Sequence, residues 1–231
     1  MKLPKVLIFT TIYQGKDYAL KEFLEHANKI NYPNYQHIFV DNSPTLDYVA
    51  KLQGMGLDAY HVERGNNTRE AIARACNFAR RIAIDEGYDY FMSLESDIMC
   101  TPTVVQDLMK HGKDVVTALY HIGDDGLRVP CITIAKWNEN LGAFGTRLLA
   151  QDEFSEYTNS GLKAVQAGGF GCCLMYKRGF LEFPFTYDPR FNGHPDIYYF
   201  NELFKKKIPV FVDTDVVLEH DNRPWQDIED R

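Results

Sequence analysis

Residues 5–11 form an apolar, β-branched run that ends in Thr10-Thr11, the pattern of a strand buried on both faces. Residues 18–29 then place Leu20, Phe23, Leu24 and Ala27 at helical spacing. A second short strand pattern at 37–40 stops at the turn cluster Asp41-Asn42-Ser43-Pro44. Residues 46–52 predict a short helix and 59–62 a third strand. The clearest element is a helix over 67–85, where Asn67 and Glu70 make a capping-box pattern and Ala71, Ala75, Phe78 and Ile82 line one face. Gly87 closes it, and a fourth strand over 88–94 runs into Glu95-Ser96-Asp97. Thr101-Pro102 predicts the start of a helix reaching residue 113, with a strand at 115–120 behind it.

Strands alternating with helices imply crossover connections and a mostly parallel sheet with helices on both faces, an α/β fold. After residue 118 the rhythm changes. Short strand patterns appear at 132–135, 165–167 and 171–175, with a loop-like stretch at 152–161 and a glycine cluster, Gly168-Gly169-Phe170-Gly171. A helix over 196–206, strands at 210–212 and 216–218, and a polar tail at 219–225 complete the pattern. No internal repeat, low-complexity tract or linker divides the 231 residues, which suit a single compact domain.

Charge and cysteine usage narrow the class. The net charge of -7 weighs against a surface built for nucleic-acid phosphates, and Lys205-Lys206-Lys207 reads as a solvated helix end. The five cysteines are scattered with no CxxC pair, which predicts reduced thiols and no zinc site. No stretch reaches the length of a transmembrane segment and the N-terminal apolar run is too short for a signal peptide, so the expectation is a soluble, cytoplasmic protein.

In such sheets ligands bind beyond the carboxyl ends of the strands. Thr10-Thr11, Asp41 and Glu95-Ser96-Asp97 fall at such ends. On an extended segment Glu95 and Asp97 point to one side with Ser96 between them, and two hard oxygen ligands suit Mg2+ or Mn2+ bound with a diphosphate. A solvated acidic turn is the competing reading. His220, at a strand end, can supply an imidazole ligand or simply bond a backbone carbonyl. Asp41 can accept hydrogen bonds from a ribose or base, or fold an Asx-turn. Asp196, before the late helix, is either a first-turn acid or a general base, the latter needing burial to raise its pKa. His194 is a second candidate for that role. Arg74 and Asn77 either reach a nucleotide from the long helix or serve its packing. The glycine cluster permits close backbone approach, but no helix opens at its end as a dinucleotide fingerprint requires. Gly15-Lys16 lacks the spacing of a phosphate loop.

The order of these motifs resembles the GT-A-fold glycosyltransferases, in particular family-2-like enzymes. The resemblance is carried by residues 6–11, Phe39-Val40-Asp41-Asn42-Ser43, Ala73-Arg74-Ala75-Cys76-Asn77, the run from Tyr90 into Glu95-Ser96-Asp97, the glycine cluster, Asp196 and His220. It implies a nucleotide-diphosphate sugar donor bound by residues 1–117 and a hydroxyl-bearing acceptor bound by residues 118–231. Thr10, Thr11, Asp41, Arg74, Asn77, Glu95 and Ser96 would bind the donor. Asp97, His220 and Glu95 would hold Mn2+ or Mg2+, Asp196 would be the catalytic base, and Gly169, Phe170 and His194 would meet the acceptor. The resemblance further implies direct displacement with inversion. The family's D-x-D is E-x-D here, its Glu-Asp pair is Pro195-Asp196, and the Q-x-x-R-W motif of processive synthases is absent, which points to single-sugar transfer. Two alternatives stand beside it. One is a non-catalytic nucleotide- or glycan-binding module of the same fold. The other is a sugar nucleotidyltransferase, which needs a basic glycine-rich loop where this chain has Thr10-Thr11-Ile12-Tyr13-Gln14.

Overall fold

The computed structural model describes residues 3–123, 128–138, 143–190 and 193–223. Pro224 and Trp225 of the polar tail lie outside the described residues. The first half alternates as the sequence pattern requires: β1 (Val6–Ile12), α1 (Asp17–Ala27), β2 (Tyr35–Asp41), α2 (Asp47–Gly54), β3 (Ala59–His61), α3 (Thr68–Asp85) and β4 (Tyr90–Leu94). These four strands are mutually parallel, with β1 between β2 and β4.

The second half is more irregular. β5 (Ile98–Met99), α4 (Val104–Met109) and β6 (Val115–Leu119) precede β7 (His121–Ile122), β8 (Val129–Pro130), β9 (Ile132–Asn138) and β10 (Ala143–Leu148). β11 (Leu162–Val165), β12 (Ala167–Gly168), β13 (Cys172–Tyr176), α5 (Lys177–Phe180), α6 (Pro195–Lys205), β14 (Val210–Val217) and β15 (Glu219–His220) follow. The main sheet has the order β11-β14-β6-β13-β4-β1-β2-β3. β13 runs antiparallel to both its neighbours, so the sheet is mixed but mostly parallel.

Alternate residues of one strand feed two cores, which is why the central strands read as unbroken apolar runs. Val6 and Ile8 pack with α1, α2 and α4 on one face. Leu7 and Phe9 pack with Ala75, Cys76 and Ala79 of α3 and with Tyr199, Phe200 and Leu203 of α6 on the other. Asn67 caps α3, its side chain accepting from Glu70 N at 3.0 Å, while Glu70 reaches back to Asn66 N at 2.9 Å, one residue short of a reciprocal box.

Three expectations are corrected. The helix predicted from Thr101 to residue 113 is only Val104–Met109, with Thr103 as its N-cap residue. The strands predicted at 210–212 and 216–218 are one strand, β14, with an irregularity between Asp213 and Val217. The loop-like stretch contains a 3-10 helix over Gln151–Tyr157. The strand β10 carries no signal strong enough to predict it.

Candidate active site

At the carboxyl end of β1 the chain turns sharply. Lys16 N donates to Tyr13 O at 2.8 Å, and Gln14 N donates to Ser43 Oγ at 2.9 Å, tying this turn to the one after β2. Lys16 is therefore delivered to the start of α1 with its side chain folded inward. Its Nζ stands 2.8 Å from Asp97 Oδ2, with the two side chains 10% and 1% exposed.

Asp97 belongs to a tight turn, with Ile98 N donating to Glu95 O at 3.0 Å, and not to the extended segment expected from the sequence. The turn serves the site differently. It starts β5, which pairs with β15 so that His220 lies opposite Ile98, and Asp221 N donates to Asp97 O at 2.8 Å. His220 Nε2 thereby comes to 3.5 Å from Asp97 Oδ2, while Nδ1 lies 3.0 Å from His121 O. A ring whose Nδ1–H is held by a carbonyl presents Nε2 as the free ligand atom.

The electrostatics follow from burial and pairing. Burial alone would push the Asp97 carboxyl up, but Lys16 and His220 outweigh it and hold it well below the usual range. Burial opposes the charges on Lys16 and His220, yet Asp97 raises both. Burial raises Glu95, which Lys16 draws partly back. Burial also raises Asp196, to about 6, against the hydrogen bonds its carboxylate accepts from the backbone N–H groups of Ile197, at 2.8 Å, and of Asp196 itself at the start of α6.

These groups surround a cleft of about 270 Å³. Thr11, Tyr13 and Lys16 line one end, Asn42, Arg64 and Thr68 a second wall, and Tyr120, Cys131, His194, Asp196 and His220 the rest, with Glu95 among them. Arg64 is posed over the Tyr13 ring at 4.4 Å and donates to Asn42 Oδ1 at 3.2 Å and Thr68 Oγ1 at 2.8 Å.

Of the residues singled out in the sequence, Thr11, Glu95, His194, Asp196 and His220 line this cleft, with Asp97 against Lys16 and His220. The others are placed elsewhere. Thr10 is fully buried, its hydroxyl donating to Leu94 O at 2.7 Å and meeting His37 Nε2 at 2.8 Å. Asp41 shapes its turn, accepting from Ser43 N at 2.9 Å and contacting His61 Nδ1 at 3.0 Å. Arg74 pairs with Glu70 at 2.7 Å. Asn77 clamps both the N–H and the carbonyl of Phe185. Ser96 is fully buried in the turn, and Phe170 packs edge-on or tilted against Phe185, Tyr199 and Phe200 in the core. Gly169 crosses behind Tyr120. Tyr13, Asn42, Arg64 and Tyr120 were not singled out, and Lys16 was considered only as part of Gly15-Lys16, which lacks the spacing of a phosphate loop.

Among the described residues no group of three or more His, Cys, Asp or Glu side chains stands ready-made around a cation position. The donor set nevertheless fits Mn2+ or Mg2+. Asp97 Oδ1 is buried without a hydrogen-bond partner, Glu95 is adjacent, and His220 supplies one imidazole nitrogen. Two obstacles stand at the same carboxylate, the Lys16 ammonium and the proton that Asp97 favours on His220.

Residues 51–125, about a third of the chain, match the Anp1 family. No curated protein matches the chain. Among solved structures, GalNAc-T7 crystallised with UDP, GalNAc and Mn2+ shares the fold with a TM-score of 0.61 at 14% identity. The likeness covers 97% of this chain and 45% of that one, so the chain spans under half the length of that protein. The fold is that of the GT-A glycosyltransferases. No helix among the described residues is long and apolar enough to cross a membrane.

Proposed function

We propose that the chain moves one sugar from a nucleotide-diphosphate sugar to an acceptor hydroxyl with inversion, using Asp196 as the base. The observation that supports this best is Asp196 itself. A carboxyl raised to about 6 lines the same cleft as Glu95, Lys16 and His220, so it can take a proton near neutral pH beside a site rich in groups for a diphosphate. The acceptor oxygen attacks the anomeric carbon, its proton passes to Asp196, and the bond to the diphosphate oxygen breaks with its electron pair leaving on the nucleotide. Asp97, His220 and Glu95 would hold Mn2+ or Mg2+, which when bound offsets the charge on the departing diphosphate. Arg64 and Tyr13 shape the wall on which a nucleotide can lie, and His194 stands at the acceptor side. Five free cysteines suit a reducing compartment, and we assign the protein to the cytoplasm on that ground.

The test is a thermal-shift screen of nucleotide-sugars, UDP-GalNAc and a nucleotide-activated mannose among them, with Mn2+ and with a chelator. A metal-dependent rise in melting temperature with one donor is expected, together with slow release of its sugar. No shift with any donor defeats the proposal. Binding without turnover, unchanged by Asp196→Ala, identifies the non-catalytic module instead.

A further inference from the structure

The cleft carries a cation of its own where a metal-dependent site would leave the carboxylate bare. Lys16 and Asp97 are both buried, 2.8 Å apart, and the other oxygen of Asp97, Oδ1, has no hydrogen-bond partner. Glu95, Asp97 and Asp196 bring three carboxyls to one small space, with Lys16 and His220 facing them. Arg64 is already occupied with Asn42, Thr68 and Tyr13. A diphosphate entering a cleft in which Lys16 stayed on Asp97 would meet carboxylates before it met a cation.

We propose that Lys16 is an exchangeable counter-ion: it screens Asp97 while the cleft is empty, and swings onto the donor's diphosphate when Asp97 engages a divalent cation. This rests on the reading of the cleft as a nucleotide-diphosphate-sugar site. The residue type suits the task. Lysine is a compact charge on a flexible four-carbon stem with three rotatable donors, so it can change partners by rotating about its own bonds, where an arginine fork would be held in one geometry. Neither partner is then left as an isolated buried charge in either state, an arrangement that would be strongly unfavourable. The unpartnered Asp97 Oδ1 gives a cation a first foothold before Lys16 leaves Oδ2.

The test uses the whole chain and the variants Lys16→Met and Lys16→Arg. Mn2+ binding to the donor-free protein is measured by electron paramagnetic resonance, and binding of UDP, GDP and the corresponding nucleosides by calorimetry at saturating Mn2+. Lys16→Met, freed of its competing ammonium, is expected to bind Mn2+ alone about 10-fold or more tightly than wild type. It should bind the diphosphate about 10- to 100-fold more weakly, the range for losing a hydrogen bond to a charged group. Nucleoside affinity should not change. If Lys16→Met is too unstable without metal, a rise in its melting temperature on adding Mn2+ that exceeds the wild-type rise carries the same information. Lys16→Arg, which keeps a cation on Asp97, should retain weak Mn2+ binding. Mn2+ affinity in Lys16→Met within a factor of two of wild type overturns the exchange. Unchanged diphosphate affinity overturns it too, as does wild-type protein that binds UDP or GDP equally well in a chelator. If neither nucleotide binds wild type under any condition, the donor reading falls and takes this inference with it, an outcome distinct from the others.

Discussion

Replacing Gly169 by alanine puts a methyl group into the back of the cleft wall. A Cβ on Gly169 would stand 1.6 Å from Tyr120 Oη and 2.7 Å from Cys131 Sγ. The first distance is about 2 Å inside ordinary contact, and Tyr120 is a rigid ring only 4% exposed, so the ring must move as a body. Movement breaks the bond from Gly171 N to Tyr120 Oη, 3.1 Å long, and disturbs the edge contact between Tyr120 and His220. Gly169 does not occupy the left-handed region, so no backbone strain adds to the cost. Overpacking of this kind costs about 1–3 kcal/mol and the lost hydrogen bond about 1 kcal/mol more. For a domain of this size that lowers the melting temperature by roughly 5–15 °C. Circular dichroism on heating, with urea unfolding alongside, reads the effect. Gly54→Ala is the control, because a methyl there meets nothing within 4 Å and ends a helix favourably. Adding Tyr120→Phe removes the closest clash, so the double variant should be less destabilised than the sum of the singles by about 1 kcal/mol. Unfolding of Gly169→Ala indistinguishable from Gly54→Ala would show that Tyr120 yields without cost.

Four further outcomes follow from the same geometry. With Asp196 as base, kcat/KM should rise tenfold per pH unit up to about pH 6 and then level, since only the deprotonated carboxyl accepts the proton. Asp196→Asn should remove that limb and lower the rate by about 100-fold or more. Asp97 is held below its unfolded value, so its contribution to stability is full above about pH 4, where an unfolded aspartate is ionised, and is lost as pH falls further. Asp97→Ala strands Lys16 without its carboxylate and should cost about 3–5 kcal/mol in urea unfolding while flattening the acid limb. Asn77→Ala removes two bonds to the Phe185 backbone and should cost about 2 kcal/mol with donor affinity unchanged, an outcome that titration of the donor checks. Thr10→Val should cost about 1–2 kcal/mol of stability without touching donor affinity, because its hydroxyl serves Leu94 O and His37, whereas Thr11→Val should weaken donor binding and leave stability nearly unchanged.

The first half of the fold is legible because its signals are local. The run at 5–11, the asparagine cap of α3 and the turn after β2 each declare an element within a few residues. The second half is less so, because apart from α6 its elements are two to eight residues long and depend on distant partners. β10 exists by pairing with β9, and β15 is a two-residue bridge to β5. His220 was singled out only through the resemblance to a family, since a lone histidine after an apolar strand reads equally well as one bonded to a backbone carbonyl, and its Nδ1 does lie 3.0 Å from His121 O. Lys16 was not legible, because its importance lies in a carboxylate some eighty residues further along the chain, and a lysine at a helix start otherwise reads as solvated.

Thr10, Asp41 and Ser96, the strand-end residues that do not line the cleft, share one cause. Along β1, Val6 and Ile8 face the core under α1, while Leu7 and Phe9 face α3 and α6. Continuing the alternation puts Thr10 on the first side and Thr11 on the second. Along β2, Phe39 belongs to the first core and Ile38 and Val40 to the second, which carries Asp41 one way and Asn42 the other. Along β4, Met92 and Leu94 belong to the first and Phe91 to the second, which sends Ser96 beneath the sheet and Glu95 toward α6. Thr11, Asn42 and Glu95 are the ones that line the cleft. The strand-end rule found the right turns but did not separate the two phases, naming Thr10 beside Thr11, Ser96 beside Glu95 and Asp41 in place of Asn42, because strands apolar on both faces carry no polar alternation to show which side the late helix will cover. Only Asp196, arriving on α6 from the far end of the chain, selects that side.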